Sequence, residues 1–213
     1  MSAGTLLRLC GLAAIVAAGL IILSEILAMG TDIMNMAAMA RMPLSPAWIP
    51  LNLLQLFGVI LLLLALVGFY ARQAAVAGGL GLVGFLVAFL GTVMFAGTGW
   101  SNAFTAPVVA RTNPTLLEGF PPSPLGEAVL YSAVLFAVGL ILFGITVIRA
   151  GVLPRTGGWL LVIGGVLSRI MPILHQRFDI YLPLDSWVTS AGLILLGYAL
   201  WSARTGTATE AAA

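Results

Sequence analysis

Six apolar stretches of about twenty residues each, parted by segments rich in proline, glycine or charge that are short on one side and long on the other, decide what this chain can become. They lie near residues 6–29, 50–70, 75–98, 126–148, 158–176 and 185–203. About 20 helical residues cross a hydrocarbon layer of about 30 Å, and within that layer each backbone N–H and C=O must be satisfied by protein. The expected fold is therefore an all-α polytopic membrane protein, with six transmembrane helices in one bundle over residues 1–203. Residues 204–213, beginning "RTGTATE", are expected to be a disordered cytoplasmic tail.

Composition agrees. Hydrophobic residues make up 61% of the chain and charged residues 8%, against roughly 45–50% and 25% in soluble domains. Nothing in the 213 residues is polar enough, for long enough, to form a second soluble domain. All nine basic residues are arginine, which excludes lysine Schiff-base chemistry. The arginines are scattered singly, so the net charge of +2 forms no patch for nucleic acid. Cys10 is the lone cysteine and supports neither an internal disulfide nor a thiolate metal site. The opening apolar run exceeds the roughly 7–15 residues of a signal-peptide core, so it is expected to stay as a span.

Charge sets the expected orientation. Arg8, Arg72, Arg149, Arg155 and Arg204 fall on the side shared by both termini, and Arg41, Arg111 and Arg177 on the other. The positive-inside rule then puts both termini in the cytoplasm, in a multi-pass protein of the cell's cytoplasmic (inner) membrane. The outer segment "NAFTAPVVARTNP" reads as an interfacial helix or an extension of the third span. A faint echo links "ARQAAVAGGLG" to "RAGVLPRTGGW", each an arginine followed by a Gly-Gly pair, with Gly78 matching Gly157. A duplication of that kind would be parallel, with its axis along the membrane normal.

Small residues at heptad spacing mark faces where helix backbones approach closely. Ala77, Gly81, Gly84, Ala88 and Gly91 form one such face; Gly11, Ala14 and Ala18 form another, and its seven-residue step continues to Glu25. Gln55 shares a face with Gly58 and Ala65, with Asn52 beside it, while Arg169 follows Gly158 and Gly165. At about 1.5 Å per residue, Arg169 lies just outward of the membrane midplane. Glu25, Asn52, Gln55, Ser168, His175, Asp185, Ser186 and Thr189 are in the outer half as well, and the inner half is expected to be nearly devoid of polar groups. Pro172 leaves the Ser168 carbonyl without its helical donor, beside Arg169.

An unpaired charge at the centre of a bilayer costs about 2.5–3.5 kcal/mol on insertion scales. One reading is thus an Arg169–Glu25 ion pair that pins two helices. The other is a ligand-binding pocket in the outer half, lined by Glu25, Asn52, Gln55, Arg169 and His175, which binds or transports a small solute or lipid-like ligand. An accessory subunit of a respiratory or photosynthetic complex, with His175 near pigment, quinone or haem, is the alternative. Weaker still is Cu(I) binding by Met34, Met36, Met39 and Met42 in the outer segment. No hydrolase or nucleotide-binding motif occurs, no catalytic residue is assigned and no resident cofactor is expected. Expected partners are the lipid bilayer, a small-molecule ligand, and further copies of the chain or a larger membrane complex.

The stretch from "LLLLALVGFYARQ" through "LILFGITVIRAGVLPRTGGWLLVIGGVL" resembles a family of uncharacterised bacterial six-helix integral membrane proteins, over roughly residues 48–168. The resemblance is carried by Tyr70 to Gln73, by Gly84 and Phe85, and by Arg149 through Arg155. It implies the six-helix fold and no activity. Asn52 stands where relatives often carry histidine.

Overall fold

The computed structural model describes residues 2–31, 41–117, 124–178 and 182–203; for residues 124, 125, 175 and 176 only the helical backbone is described. The chain is all-α, with no strand among the described residues. Five continuous helical segments are long and apolar enough to cross a membrane: Ala3–Met29, Trp48–Thr112, Gly126–Ala150, Arg155–Leu174 and Leu184–Ser202. The expected tail, residues 204–213, lies outside the described residues.

The second segment is folded back on itself. Gly78, inside the helix Trp48–Trp100, has φ 58° and ψ −160°, a backbone region that is essentially closed to residues with a Cβ. On either side of it, the rings of Tyr70 and Phe85 stack with centroids 4.6 Å apart, whereas fifteen residues of straight helix would separate them by about 22 Å. Further out, the Trp48 indole Nε1 donates to the Asn102 carbonyl at 2.6 Å. Gly78 is therefore a hairpin. We name the helices α1 (Ala3–Met29), α2 (residues 48–77), α3 (residues 79–100), α4 (Pro124–Ala150), α5 (Arg155–Phe178) and α6 (Leu184–Ser202). Beyond Trp100 the helix continues through a π-helical turn, Ser101–Thr105, into Ala106–Thr112. The segment "NAFTAPVVARTNP" is thus an extension of α3.

These helices close into a ring in chain order. α1 packs on α6, α4 on α5, and α5 on α6; Gly58 of α2 faces Ala17 and Ile21 of α1, and Gly84 of α3 faces Leu142 and Thr146 of α4. The ring joins where the chain ends meet, and there Arg8 Nη2 donates to the Ala203 carbonyl at 3.5 Å. The Gly78 hairpin and the α4–α5 turn, with Gly151 at φ 64°, lie at this same near end. Arg72, Arg149 and Arg155 accompany them; Arg41, Arg111 and Arg177 belong to the far end.

Packing inverts the soluble pattern. Along α1 the small residues Gly11, Ala14, Ala17 and Ala18 are buried, while Leu6, Leu9, Leu12 and Val16 are exposed. Apolar bulk outside and small residues inside is what helix association in lipid requires, because only close backbone contact distinguishes a neighbouring helix from an acyl chain. Near-end crossings show how close. A Cβ on Gly11 would stand 2.6 Å from the Gly197 carbonyl oxygen, and one on Gly144 would stand 2.6 Å from that of Gly158. Gly157, the match of Gly78 in the sequence echo, is not a turn residue and packs on Gly192 and Leu196. The left-handed glycine of that turn is Gly151, so the two hairpins turn differently.

Candidate functional site

All six helices contribute to a cavity in the far half of the ring. Its volume is about 110 Å³, and Ile21, Gln55, Phe95, Phe136, Arg169 and Asp185 each represent one helix in its wall. Val59, Leu62, Leu140 and Leu193 complete the apolar portion. Toward the near end the axis is filled by Leu66, Leu196 and Leu200, with Phe69 and Phe143 at a centroid separation of 6.4 Å. The cavity therefore has a closed floor.

Its polar portion comes from three helices. α6 supplies Asp185, Ser186, Thr189 and Ser190, α5 supplies Ser168 and Arg169, and α2 supplies Gln55. Positions 186, 189, 190 and 193 follow the i, i+3, i+4, i+7 spacing of one helical face, which is why a single turn and a half of α6 delivers so many of these groups. Glu25, on α1, is only 6% exposed. Its Oε1 accepts from Gln55 Nε2 at 3.3 Å and from Ser186 Oγ at 3.5 Å, which ties α1 to both α2 and α6 at the cavity margin. Asp185 and Arg169, from α6 and α5, lie in the same cavity wall.

Some donors stay unmatched. Arg169 Nε and Ser190 Oγ are buried and have no hydrogen-bond partner, as is Trp187 Nε1 on the same turn of α6. Ser190 is 1% exposed, so bulk water does not reach it. By contrast the Ser168 hydroxyl donates to the Gly165 carbonyl at 2.8 Å, and Ser24 likewise donates to Ile21 within its own helix at 2.8 Å. A buried hydroxyl or guanidinium N–H that forgoes such a bond loses about 1–3 kcal/mol.

Of the residues read from the sequence as a site, Gln55 and Arg169 line this cavity and Glu25 is bonded to two of its lining residues. Glu25 is bonded to Gln55 and Ser186, and Arg169 shares the cavity wall with Asp185. Asn52 turns to its own helix, where Nδ2 donates to the Trp48 carbonyl at 2.9 Å. His175 lies in α5 beyond Pro172, and its side chain is outside the described part of the structure. Met34, Met36 and Met39 lie outside the described residues too. Among the described residues no three His, Cys, Asp or Glu side chains converge to hold a metal.

Sequence reasoning missed Ser190, which looked like one more small residue of an apolar helix. The signal available was its position four residues after Ser186. It also missed the near half's polar groups. Gln73 is fully buried there with both amide atoms unpaired, and Thr146 is buried with its hydroxyl bonded to the Leu142 carbonyl. The expectation that this half is nearly devoid of polar groups is corrected accordingly. Gln73 had read as a helix-end residue after Arg72. α2 in fact continues to the Gly78 hairpin, which keeps position 73 inside the ring.

Comparison with family models, with curated proteins and with solved structures gives no match.

Proposed function

We propose that this protein spans a membrane six times, with its near end cytoplasmic, and receives a small ligand from the outer side into the cavity of the far half. The observation that carries the reading is the cavity itself, to which every helix contributes and whose wall gathers Gln55, Arg169, Asp185, Ser186 and Ser190. Such groups in lipid are costly enough that they mark binding or transport sites by default. Exposed aromatics support the placement in a bilayer: Trp100 and Tyr131 toward the far end, Trp159, Tyr198 and Trp201 toward the near end. Residues 79–100 span about 33 Å between these levels, close to the hydrocarbon thickness. Arg8, Arg72, Arg149 and Arg155 at the near end favour the cytoplasm for that side.

The leucine and phenylalanine floor supports binding from one side over open passage in this conformation. The test is a panel of small solutes screened for their effect on the melting temperature of the purified protein. Solutes that bind are expected to raise it for the wild type and not for Ala133→Phe, which puts a ring into the cavity wall. Equal shifts in both proteins, or none in either, overturn the reading.

A further inference from the structure

At the near end a notch of about 190 Å³ opens between the Gly78 hairpin and the last turn of α4, walled by Val76, Ala77, Leu80, Thr146, Arg149 and Ala150. Two chemistries meet in it. Arg149 is exposed and ends α4, while Val76 and Leu80 in the same wall are 60% and 40% exposed. The Thr146 hydroxyl is already engaged, donating to the Leu142 carbonyl at 3.0 Å. What the notch offers a ligand is a guanidinium next to exposed apolar side chains.

Charge and level narrow the class. Arg8, Arg72, Arg149 and Arg155 lie at this end, and no Asp or Glu does among the described residues. Arg8 is bonded to the Ala203 carbonyl, and Arg155 is turned onto its own loop, with Nη2 3.6 Å from where a Cβ of Gly151 would stand. Among the described residues none is hydrogen-bonded or ion-paired to Arg149. A soluble anion would answer this guanidinium but leave Val76 and Leu80 without apolar cover. A neutral apolar molecule would do the reverse, leaving five N–H donors unanswered.

A phospholipid answers both, because its phosphate matches the planar fork of arginine and its hydrocarbon covers the apolar rim. Leu80, Val83 and Leu90 are all exposed, and their i, i+3, i+10 spacing puts them on one face of α3. That face runs about 15 Å from the notch toward the middle of the ring. A zwitterionic headgroup would bring an ammonium to an end with no described acid to receive it, so a net negative headgroup fits better.

We propose that the notch holds the headgroup phosphate of an anionic phospholipid from the leaflet at the near end. Arg149 donates to the phosphate oxygens, and an acyl chain lies along Leu80, Val83 and Leu90. The assignment rests on the reading of the chain as membrane-spanning and is independent of what the far cavity takes.

The test titrates the purified full chain in detergent with phosphatidylglycerol or phosphatidylcholine of identical acyl chains, and follows the first bound lipid by native mass spectrometry. The first phosphatidylglycerol is expected to bind roughly fivefold tighter, the factor that one arginine gains near anionic lipid. Arg149→Gln should erase that preference without changing the melting temperature in lipid-free detergent. Arg8→Gln, on α1 across the ring, should keep it. Equal affinity for the two lipids, or the same loss in Arg8→Gln as in Arg149→Gln, overturns the notch as the site. Glycerol phosphate that displaces the lipid at equal concentration overturns the acyl-chain contact, since the anion alone would then be recognised. Wild-type protein that alkaline carbonate strips from reconstituted vesicles overturns the membrane-spanning reading, whereas absence of the preference in protein that resists stripping overturns the lipid site alone.

Discussion

The two halves of this ring bring backbones equally close, as Gly91 against the Leu135 carbonyl shows toward the far end, and differ in how the axis is filled. At the near end backbones touch at Gly11–Gly197 and Gly144–Gly158, and phenylalanine and leucine fill the axis. At the far end no such filling occurs, and Gln55, Arg169, Asp185 and Ser190 border an open space. Both halves contain a buried polar group without a partner, Gln73 in one and Ser190 in the other. The contrast teaches how to separate the two cases. Gln73 is an isolated amide in a filled interior, whereas Ser190 belongs to a gathered set around a cavity.

The largest effect that would break this contrast is steric. Gly144→Leu is expected to cost more than 3 kcal/mol, beyond the usual range of about 1–3 kcal/mol for overpacking, because its neighbour is the Gly158 backbone. Size-exclusion profiles should show aggregated protein. The same gain in bulk at the cavity, Ala133→Leu, should change the melting temperature little. Similar losses in both would mean that the far half is as tightly packed as the near half.

Next come the charges. Arg169→Ala is expected to lower stability by about 3 kcal/mol, the low end for removing one member of a buried charge pair. Adding Asp185→Asn should recover more of this than adding Glu25→Ala, since Glu25 is held by Gln55 and Ser186. A double-mutant cycle in detergent reads the difference, and the reverse order would assign Arg169 to Glu25. Gly78→Ala should cost about 1–3 kcal/mol through backbone strain alone, for there is open space where its Cβ would go. Smallest is Gln73→Leu, expected to raise stability by about 1 kcal/mol as an unmatched amide leaves the interior. A loss there would show that the amide has a partner.

Much of the ring was legible beforehand. The apolar stretches marked the all-α character and the long apolar helices because membrane-crossing length and hydropathy are local properties. The stripes through Gly11 and Ala14 and through Gly84, Ala88 and Gly91 marked faces that are indeed buried. Arg169 and Gln55 were placed in the wall because a polar group among small residues follows the packing face. Less legible was which polar groups meet, because that depends on the rotation of each helix about its axis. Asn52 sits one turn from Gln55 and still turns back to its own backbone, while Ser190 needed the register of α5 against α6 to appear at the cavity. The sharp reversal at Gly78 was hidden for a related reason, since Gly-Gly pairs stand at the start of both α3 and α5 and only one of them turns.

The central claim is the proposal that the cavity takes its ligand from the far side and is closed from the near side. In a Cys10→Ala background, Ser186→Cys, at a half-buried position of the cavity wall, and Gln73→Cys are each exposed to a small membrane-impermeant thiol reagent from one side of a sealed vesicle at a time. The account predicts modification of residue 186 from the outer side only, and of residue 73 from neither. Modification of residue 186 from the cytoplasmic side, or of residue 73 from either, would contradict it.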